Sequence, residues 1–354
     1  MYEVRETPTT LGGALNITCN GLRVLDKLGV YKQLEGVCAE TPEFEMYNAN
    51  GSRIGLLKSG ILTKEKTGYG TMRVMRTIIR DILLKRLEEE GIMVKNGMHL
   101  TKVEETSDSV EVTFVDGTTD TADLLIGADG IHSAVRSLHV DPEFEPEYTG
   151  LSSLYSIIPI DILTSPVYFS GNFGAVMFRK GMFGTGFCDK ERTTMYWFNS
   201  HTVSAKGRDG WIAHGKELEN IRSQLMESAG EIRVPLVHEI LEKSSEIRFY
   251  PIYRLPLNGK WFTQRTLLIG DAGHGTFPLW PGLTCSSTPT CRSRHVDGDG
   301  GRISTLSFVT TGRRPSDCVS EVRGDSSSKS CGDLEVVESG WEPAEGNWAV
   351  ETVD

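Results

Sequence analysis

Apolar positions along this chain change their spacing several times, and each change predicts a different kind of element. Leu22, Leu25 and Leu28 recur at helical spacing, with Asn20 placed to cap the helix and Gly29 to stop it. Ile79, Ile82, Leu83 and Leu87 predict another helix by the same logic, ended by Gly91. Between 92 and 126 the period falls to two. Ile92–Val94 and Val110–Phe114 read as strands, Asp116-Gly117 as a hairpin turn, and Leu124–Ile126 as a buried strand. Beyond about residue 150 come short aromatic-rich runs, Val167–Phe169, Val176–Phe178, Gly184–Phe187 and Met195–Phe198, which predict an antiparallel sheet with its aromatics mainly in the core. Two amphipathic helices, 217–229 and 234–243, lead to a strand over Ile247–Tyr253. The class is therefore α/β with a mixed α+β character, a βαβ-like start followed by a sheet.

At two places an apolar strand runs into a glycine-framed carboxylate. The first is Asp123-Leu-Leu-Ile-Gly-Ala-Asp129-Gly-Ile-His-Ser133-Ala-Val-Arg136. The second, about 140 residues later, is Arg265-Thr-Leu-Leu-Ile-Gly270-Asp271-Ala-Gly-His274-Gly-Thr-Phe-Pro278. Glycine at the end of a parallel strand permits both the sharp turn and a close approach of backbone to a ligand. The Asp can accept hydrogen bonds from ligand hydroxyls, and a following helix N-terminus offers N–H groups to phosphate. That chemistry suits a nucleotide carrying a polyol. A single Gly-Asp would be an ordinary turn; two, with Ser133 and Arg136 behind one and His274 and Pro278 behind the other, point to a ligand.

Composition narrows the partners. With 354 residues, 38% apolar and 24% charged, the chain is long enough for two domains and an appendage. Its net charge of −11 argues against nucleic acid or an anionic membrane surface. No apolar run reaches the roughly 18 residues of a membrane span, and Met1-Tyr-Glu-Val-Arg-Glu has no signal-peptide character, so a soluble cytoplasmic protein is expected. Seven cysteines without a Cys-x-x-Cys fit neither a disulfide framework nor a zinc module, so reduced thiols and no metal site are expected.

Over roughly residues 1 to 282 these motifs resemble the FAD-dependent aromatic hydroxylases, flavoprotein monooxygenases of the salicylate and para-hydroxybenzoate hydroxylase type. The resemblance implies a partial Rossmann-like FAD-binding domain with a β-sheet substrate domain. It divides the chain into an FAD-binding domain at 1–150, a substrate-binding sheet at 151–258 and a return to the first domain at 259–282. It implies FAD and NADPH (or NADH) as cofactors, and a small aromatic substrate hydroxylated with O2 through a C4a-hydroperoxyflavin. Asp129, Ser133 and Arg136 match the segment that serves FAD and NADPH binding. Gly270, Asp271 and Pro278 match the one whose Asp holds the flavin's ribitol. Glu3 matches the ribose-binding Glu, Arg76 an arginine near the ribityl and phosphate part, and Val103 an adenine-side backbone contact. No catalytic base is assigned; Arg254, His201 and His214 are polar candidates near the substrate sheet, and His274 reads first as a structural residue at a helix start.

The chain departs from that pattern at both ends. Family members open with a strand, a Gly-x-Gly-x-x-Gly loop and a helix that cradle the FAD pyrophosphate, and the expectation is that this chain begins after them. From Leu283 to Asp354 the 72 residues hold 12 Ser but only five Leu, Ile or Phe, which predicts a disordered or aberrant tail. A flavin-dependent epoxidase or oxidase would share every motif named, and a non-catalytic interaction protein or an inactive gene-model fragment is the reading from a different class.

Overall fold

A strand covered on both faces needs apolar side chains at consecutive positions, and Met195-Tyr-Trp-Phe198 has that pattern because it lies inside a sheet packed on two sides. In the computed structural model, which describes residues 1–8, 13–204 and 218–275, this run is part of β13 (Thr194–Thr202). Its sheet has seven strands in the order β14 (Arg248–Arg254), β10 (Glu147–Pro159), β13, β12 (Gly181–Phe187), β11 (Phe173–Phe178), β3 (Phe44–Asn48) and β4 (Arg53–Leu57). Neighbours are antiparallel except β3 and β11. Met195 and Trp197 pack with Phe183 and Val176 against helices α5 (Leu218–Ser228) and α6 (Pro235–Lys243), through Ile221, Leu225, Val237 and Ile240. Tyr196 and Phe198 face the opposite way, onto Phe44, Phe173 and Ala14.

That opposite face meets a second sheet, β1 (Ala14–Ile17), β5 (Met72–Met75) and β2 (Ala39–Glu40), with β5 in the middle. The far side of this small sheet carries Ile17, Met72 and Val74, which pack on Leu22 and Leu25 of α1 (Cys19–Lys27) and Leu34 of α2 (Tyr31–Val37). Helix α3 (Ser59–Thr67) ends in Gly68, and α4 (Arg76–Glu89) lays Ile79, Ile82 and Leu83 half-buried against the same cluster. The layering is thus helices, small sheet, large sheet, helices.

A hairpin sheet of β6 (Leu100–Glu105), β7 (Val110–Phe114) and β8 (Thr119–Ala122) turns at Gly117, whose φ of +80° suits the expected Asp116-Gly117 hairpin. Tyr2 packs its ring 4.6 Å from Phe114 and donates to Asp120, tying the N-terminal residues to this sheet. The last sheet is a parallel pair, β9 (Leu125–Gly127) with β15 (Thr266–Leu268).

Several expectations change. Thr18, not Asn20, stands at the N-cap of α1, and Leu28 lies exposed beyond the helix end. Ile92–Val94 is not a strand; Lys95 alone bridges to Tyr2. Val167–Phe169 is irregular, with Phe169 buried by packing rather than by strand pairing. Leu124 and Ile126 remain 52% and 42% exposed, so the expected buried strand is covered mainly at Gly127 and partly at Leu125. The strands β3, β4 and β10 were not anticipated. In β10 the buried positions include Ser152, Ser153 and Ser156, which conceal its period from a hydrophobicity count. Cys38 and Cys188 are free thiols that burial pushes up to about 12. Among the described residues no helix is long and apolar enough to cross a membrane. His214, Pro278, residue 217 of the expected helix and the whole of 283–354 lie outside the described residues.

Candidate functional site

The two glycine-framed motifs, distant in sequence, are side by side in space. Thr266, Leu267 and Leu268 pair in parallel with Leu125, Ile126 and Gly127, and the Ile269 amide donates to the Gly127 carbonyl at 2.9 Å. Gly127 must be small: a Cβ there would stand 2.8 Å from Leu268 and 3.0 Å from Val135. Both turns therefore leave their strands at the same end of one parallel pair, where fixed backbone N–H groups and glycine turns favour polar ligands.

The first motif folds around its own charged residues. One Asp129 oxygen accepts from the Ser133 hydroxyl at 2.5 Å and the other from the Val135 amide at 3.1 Å, while the Ser133 hydroxyl accepts from the Arg136 amide at 3.0 Å. Arg136, only 2% exposed, opens a π-helical turn over Arg136–Val140. Its guanidinium donates to the carbonyls of Phe144 (3.0 Å), Ile131 (2.6 Å) and Ala272 (2.7 Å). The last bond crosses to the second motif, so Arg136 clamps the two turns together.

In the second motif Gly270 has φ +60° and ψ −143°, a conformation almost confined to glycine. It opens the four-residue helix α7 (Asp271–His274). Asp271 is exposed and its carboxylate makes no hydrogen bond with another described residue. The His274 ring lies 5.2 Å from that of Trp261, tilted by 43°. The Gly275 carbonyl accepts from the Leu255 amide at 2.7 Å, joining this motif to the end of β14.

Arg76 begins α4, and its amide donates to the Gly13 carbonyl at 3.1 Å while the guanidinium stays exposed and unpaired among the described residues. Arg76 and Asp271 act on one phenol. Tyr250 on β14 is pushed up by partial burial, opposed by the Arg76 cation and reinforced by Asp271, Tyr155 and Tyr253. These side chains frame an aromatic wall: Tyr155 and Tyr196 rings are 5.8 Å apart, His132 of the first motif meets Tyr253 edge-on at 5.2 Å, and a Cβ at Gly13 would stand 2.8 Å from Tyr196. The four tyrosines were missed at the level of sequence, because their spacing in an aromatic-rich region does not say which face of the strand looks toward the motifs.

The remaining expected residues lie elsewhere. Val103 is a core residue of β6, 8% exposed and packed with Val110, Val112 and Phe114. Glu3 is exposed, accepts from the Arg5 amide at 3.0 Å, and sits on the same side as that hairpin sheet, its backbone bonded to Lys95 and Met98. Nothing among the described residues ties Glu3 directly to Arg76 or Asp271. Leu100 and Leu125 pack against both the hairpin-sheet core and the core under the motifs, so the two regions adjoin. Arg254 forms an exposed ion pair with Glu147, 3.4 Å away. His201 pairs with Ser152 across β10 and β13, three residues along from the Tyr155–Phe198 pair, and Ser152 in turn pairs with Pro251 of β14. An open cavity of about 280 Å³ between Tyr31, Pro42, Ile61, Lys64 and Met72 contains none of the motif residues.

A small sheet stacked on a large one, with paired glycine turns at one strand end, is an arrangement suited to a nucleotide-like ligand. The chain belongs to the FAD binding domain family, whose model matches residues 1–281. Among relatives, it is 28% identical over 284 residues to the 3-amino-4-hydroxybenzoate 2-monooxygenase of Streptomyces cremeus, covering 78% of this chain and 66% of that protein. It is 24% identical over 293 residues to the 6-hydroxynicotinate 3-monooxygenase of Pseudomonas fluorescens, covering 78% and 70%. The crystal structure of Klebsiella pneumoniae HpxO complexed with FAD and uric acid shares the fold, with a TM-score of 0.66 at 21% identity over 78% of this chain and 67% of that one. The chain spans about two thirds of the length of the curated relatives it matches.

Proposed function

We propose that this protein is a cytoplasmic FAD-dependent monooxygenase that hydroxylates a small electron-rich aromatic compound with O2, using NADPH or NADH as reductant. The single observation that supports this reading most is the Asp271 carboxylate, without a partner among the described residues, at a Gly270 turn clamped through Arg136 to the first motif and within electrostatic reach of the same phenol as Arg76. A carboxylate with no partner among the described residues can accept from the hydroxyls of a ribitol chain. A guanidinium at a helix N-terminus, unpaired among the described residues, suits the phosphate and carbonyl-rich parts of the same cofactor.

On this reading Asp271 binds ribitol, Gly270 allows the cofactor near the backbone, and Arg76 lies by the ribityl and phosphate part. Glu3 takes ribose hydroxyls, and Val103, whose side chain is committed to the core, contributes backbone only. Asp129, Ser133 and Arg136 act by holding the turn that the cofactor contacts. FAD, when bound and reduced, supplies the activation of O2 that no amino-acid side chain provides. The tyrosine wall of Tyr155, Tyr196, Tyr250 and Tyr253 would orient an aromatic ring by stacking and exclude water from it. We assign residues 1–150 and 259–282 to cofactor binding and 151–258 to the substrate side, with β3 and β4 reaching across into the large sheet.

The test is a titration with FAD followed by reduction with NADPH or NADH in the presence of hydroxybenzoates and hydroxypyridines. The expected result is FAD binding that Asp271→Ala weakens, and incorporation of one oxygen atom from labelled O2 into product. Flavin binding unaffected by Asp271→Ala, or turnover with no labelled product, would overturn the assignment.

A further inference from the structure

Arg73 lies at the middle of β5, 0% exposed, and none of its three guanidinium nitrogens has a hydrogen-bond partner among the described residues. Directly across the strand pair is Asn16 on β1, also 0% exposed, with both amide atoms unpartnered among the described residues. Opposed residues in an antiparallel pair project to the same face. Here it is the face that carries Ala14 and looks toward the large sheet, whose Tyr196 and Cys188 lie within electrostatic reach of Arg73. Two unsatisfied polar side chains from neighbouring strands thus meet in an otherwise apolar layer.

The groups around Arg73 leave its charge uncompensated. No Asp or Glu among the described residues pairs with it. The Phe173 ring, 4.6 Å from the Arg73 Cζ, offers a cation–π contact, which returns only a small part of the cost of desolvating a guanidinium. Space is kept for the head group: a Cβ at Gly186 would stand 3.1 Å from Cζ and 2.9 Å from Phe173. An unpaired charge this deep is retained at a large cost in stability unless something anionic joins it.

We propose that Arg73 and Asn16 form a buried binding site for a monovalent anion, supplied by a halide or by the carboxylate of a small ligand, distinct from the proposed flavin site. The guanidinium and the Asn16 amide nitrogen donate to the anion, and a water hydrating it donates to the Asn16 carbonyl. This site stands on the Arg73 and Asn16 geometry alone and does not depend on flavin binding.

The experiment is a thermal melt of the 354-residue chain, with sodium bromide replacing sodium gluconate at constant ionic strength, and a parallel series with sodium benzoate. Saturable stabilisation is expected, about 3 °C or more at tenfold over the midpoint concentration, and it should vanish in Arg73→Met. Response to both salts identifies a free anion as sufficient; response to benzoate alone identifies a ligand carboxylate. Response to neither, or an equal response in Arg73→Met, overturns the site. Should Arg73→Met not fold, Asn16→Leu is expected to raise the midpoint concentration tenfold or more, and an unchanged midpoint overturns the site as well. Flavin fluorescence on the same samples reports FAD binding separately, so a chain that binds the anion but not FAD refutes the monooxygenase reading and leaves this site standing.

Discussion

Replacing Arg136 by Met tests whether that guanidinium serves the cofactor directly or serves the framework. Met keeps much of the aliphatic length, so the change removes three hydrogen bonds and a charge while filling most of the space. Bonds from a charged donor contribute roughly 1.5–3 kcal/mol each, and two of the three are only part-buried, so the lower end applies. The sum is about 4 kcal/mol, which at 2–4 °C per kcal/mol for a domain of this size lowers the melting temperature by about 8 °C or more. Calorimetry or circular dichroism measures the midpoint, and a flavin titration of the folded variant measures affinity. The carbonyls of Ile131, Phe144 and Ala272 lose their partner together, so both motif turns should loosen and FAD affinity should fall along with stability. A variant that melts within roughly 2 °C of its parent yet binds FAD far more weakly would refute the clamp and make Arg136 a direct ligand of the cofactor.

Three further outcomes are expected. Asp271→Ala should weaken FAD binding by about 1–3 kcal/mol, roughly 5- to 150-fold, with the melting temperature unchanged because the carboxylate has no partner among the described residues; a large drop in melting temperature instead would make the turn structural. Gly270→Ala should cost about 1–3 kcal/mol through its backbone conformation alone, read as a lower unfolding midpoint in urea, and an unchanged midpoint would contradict the φ of +60°. Burial alone would raise the Glu105 carboxyl, but hydrogen bonds from Thr263, His139 and Thr266 outweigh it and hold it at about 2, below its ordinary 4.5. The stability it lends is therefore full above 4.5 and is lost as the pH falls toward 2, so Glu105→Gln should flatten that part of the acid unfolding curve; an acid limb identical to the parent's would show that Glu105 does not carry it.

Local sequence determined the things that depend on a few neighbouring residues. The glycine turns at Gly117 and Gly270 were legible because only a residue without a Cβ takes those dihedral angles easily. The helix Pro235–Lys243 and the strand Val110–Phe114 were legible from their apolar period, and the two Gly-Asp motifs from strand, turn and carboxylate in one short run. The Gly-Asp turn marked Asp271 as a candidate and the family resemblance marked Arg76, although nothing local could show that both act electrostatically on Tyr250.

Tertiary structure decided everything that rests on pairing across long separations. Whether Leu124–Ile126 is covered depends on what lies beside it, and β15 shields it on one edge only. The serine-rich β10 is a central strand because β13 and β14 hydrogen-bond to both its edges, a property of its neighbours rather than of its own polarity. Ser133 and Arg136 look in sequence like exposed groups, yet folding buries both, while Asp129 stays exposed with its carboxylate accepting from Ser133 and Val135; a buried guanidinium is retained only where carbonyls can receive it. Arg73 is the reverse case: its sequence context gives no hint of burial, and only the stacking of the small sheet on the large one removes it from water without supplying a partner.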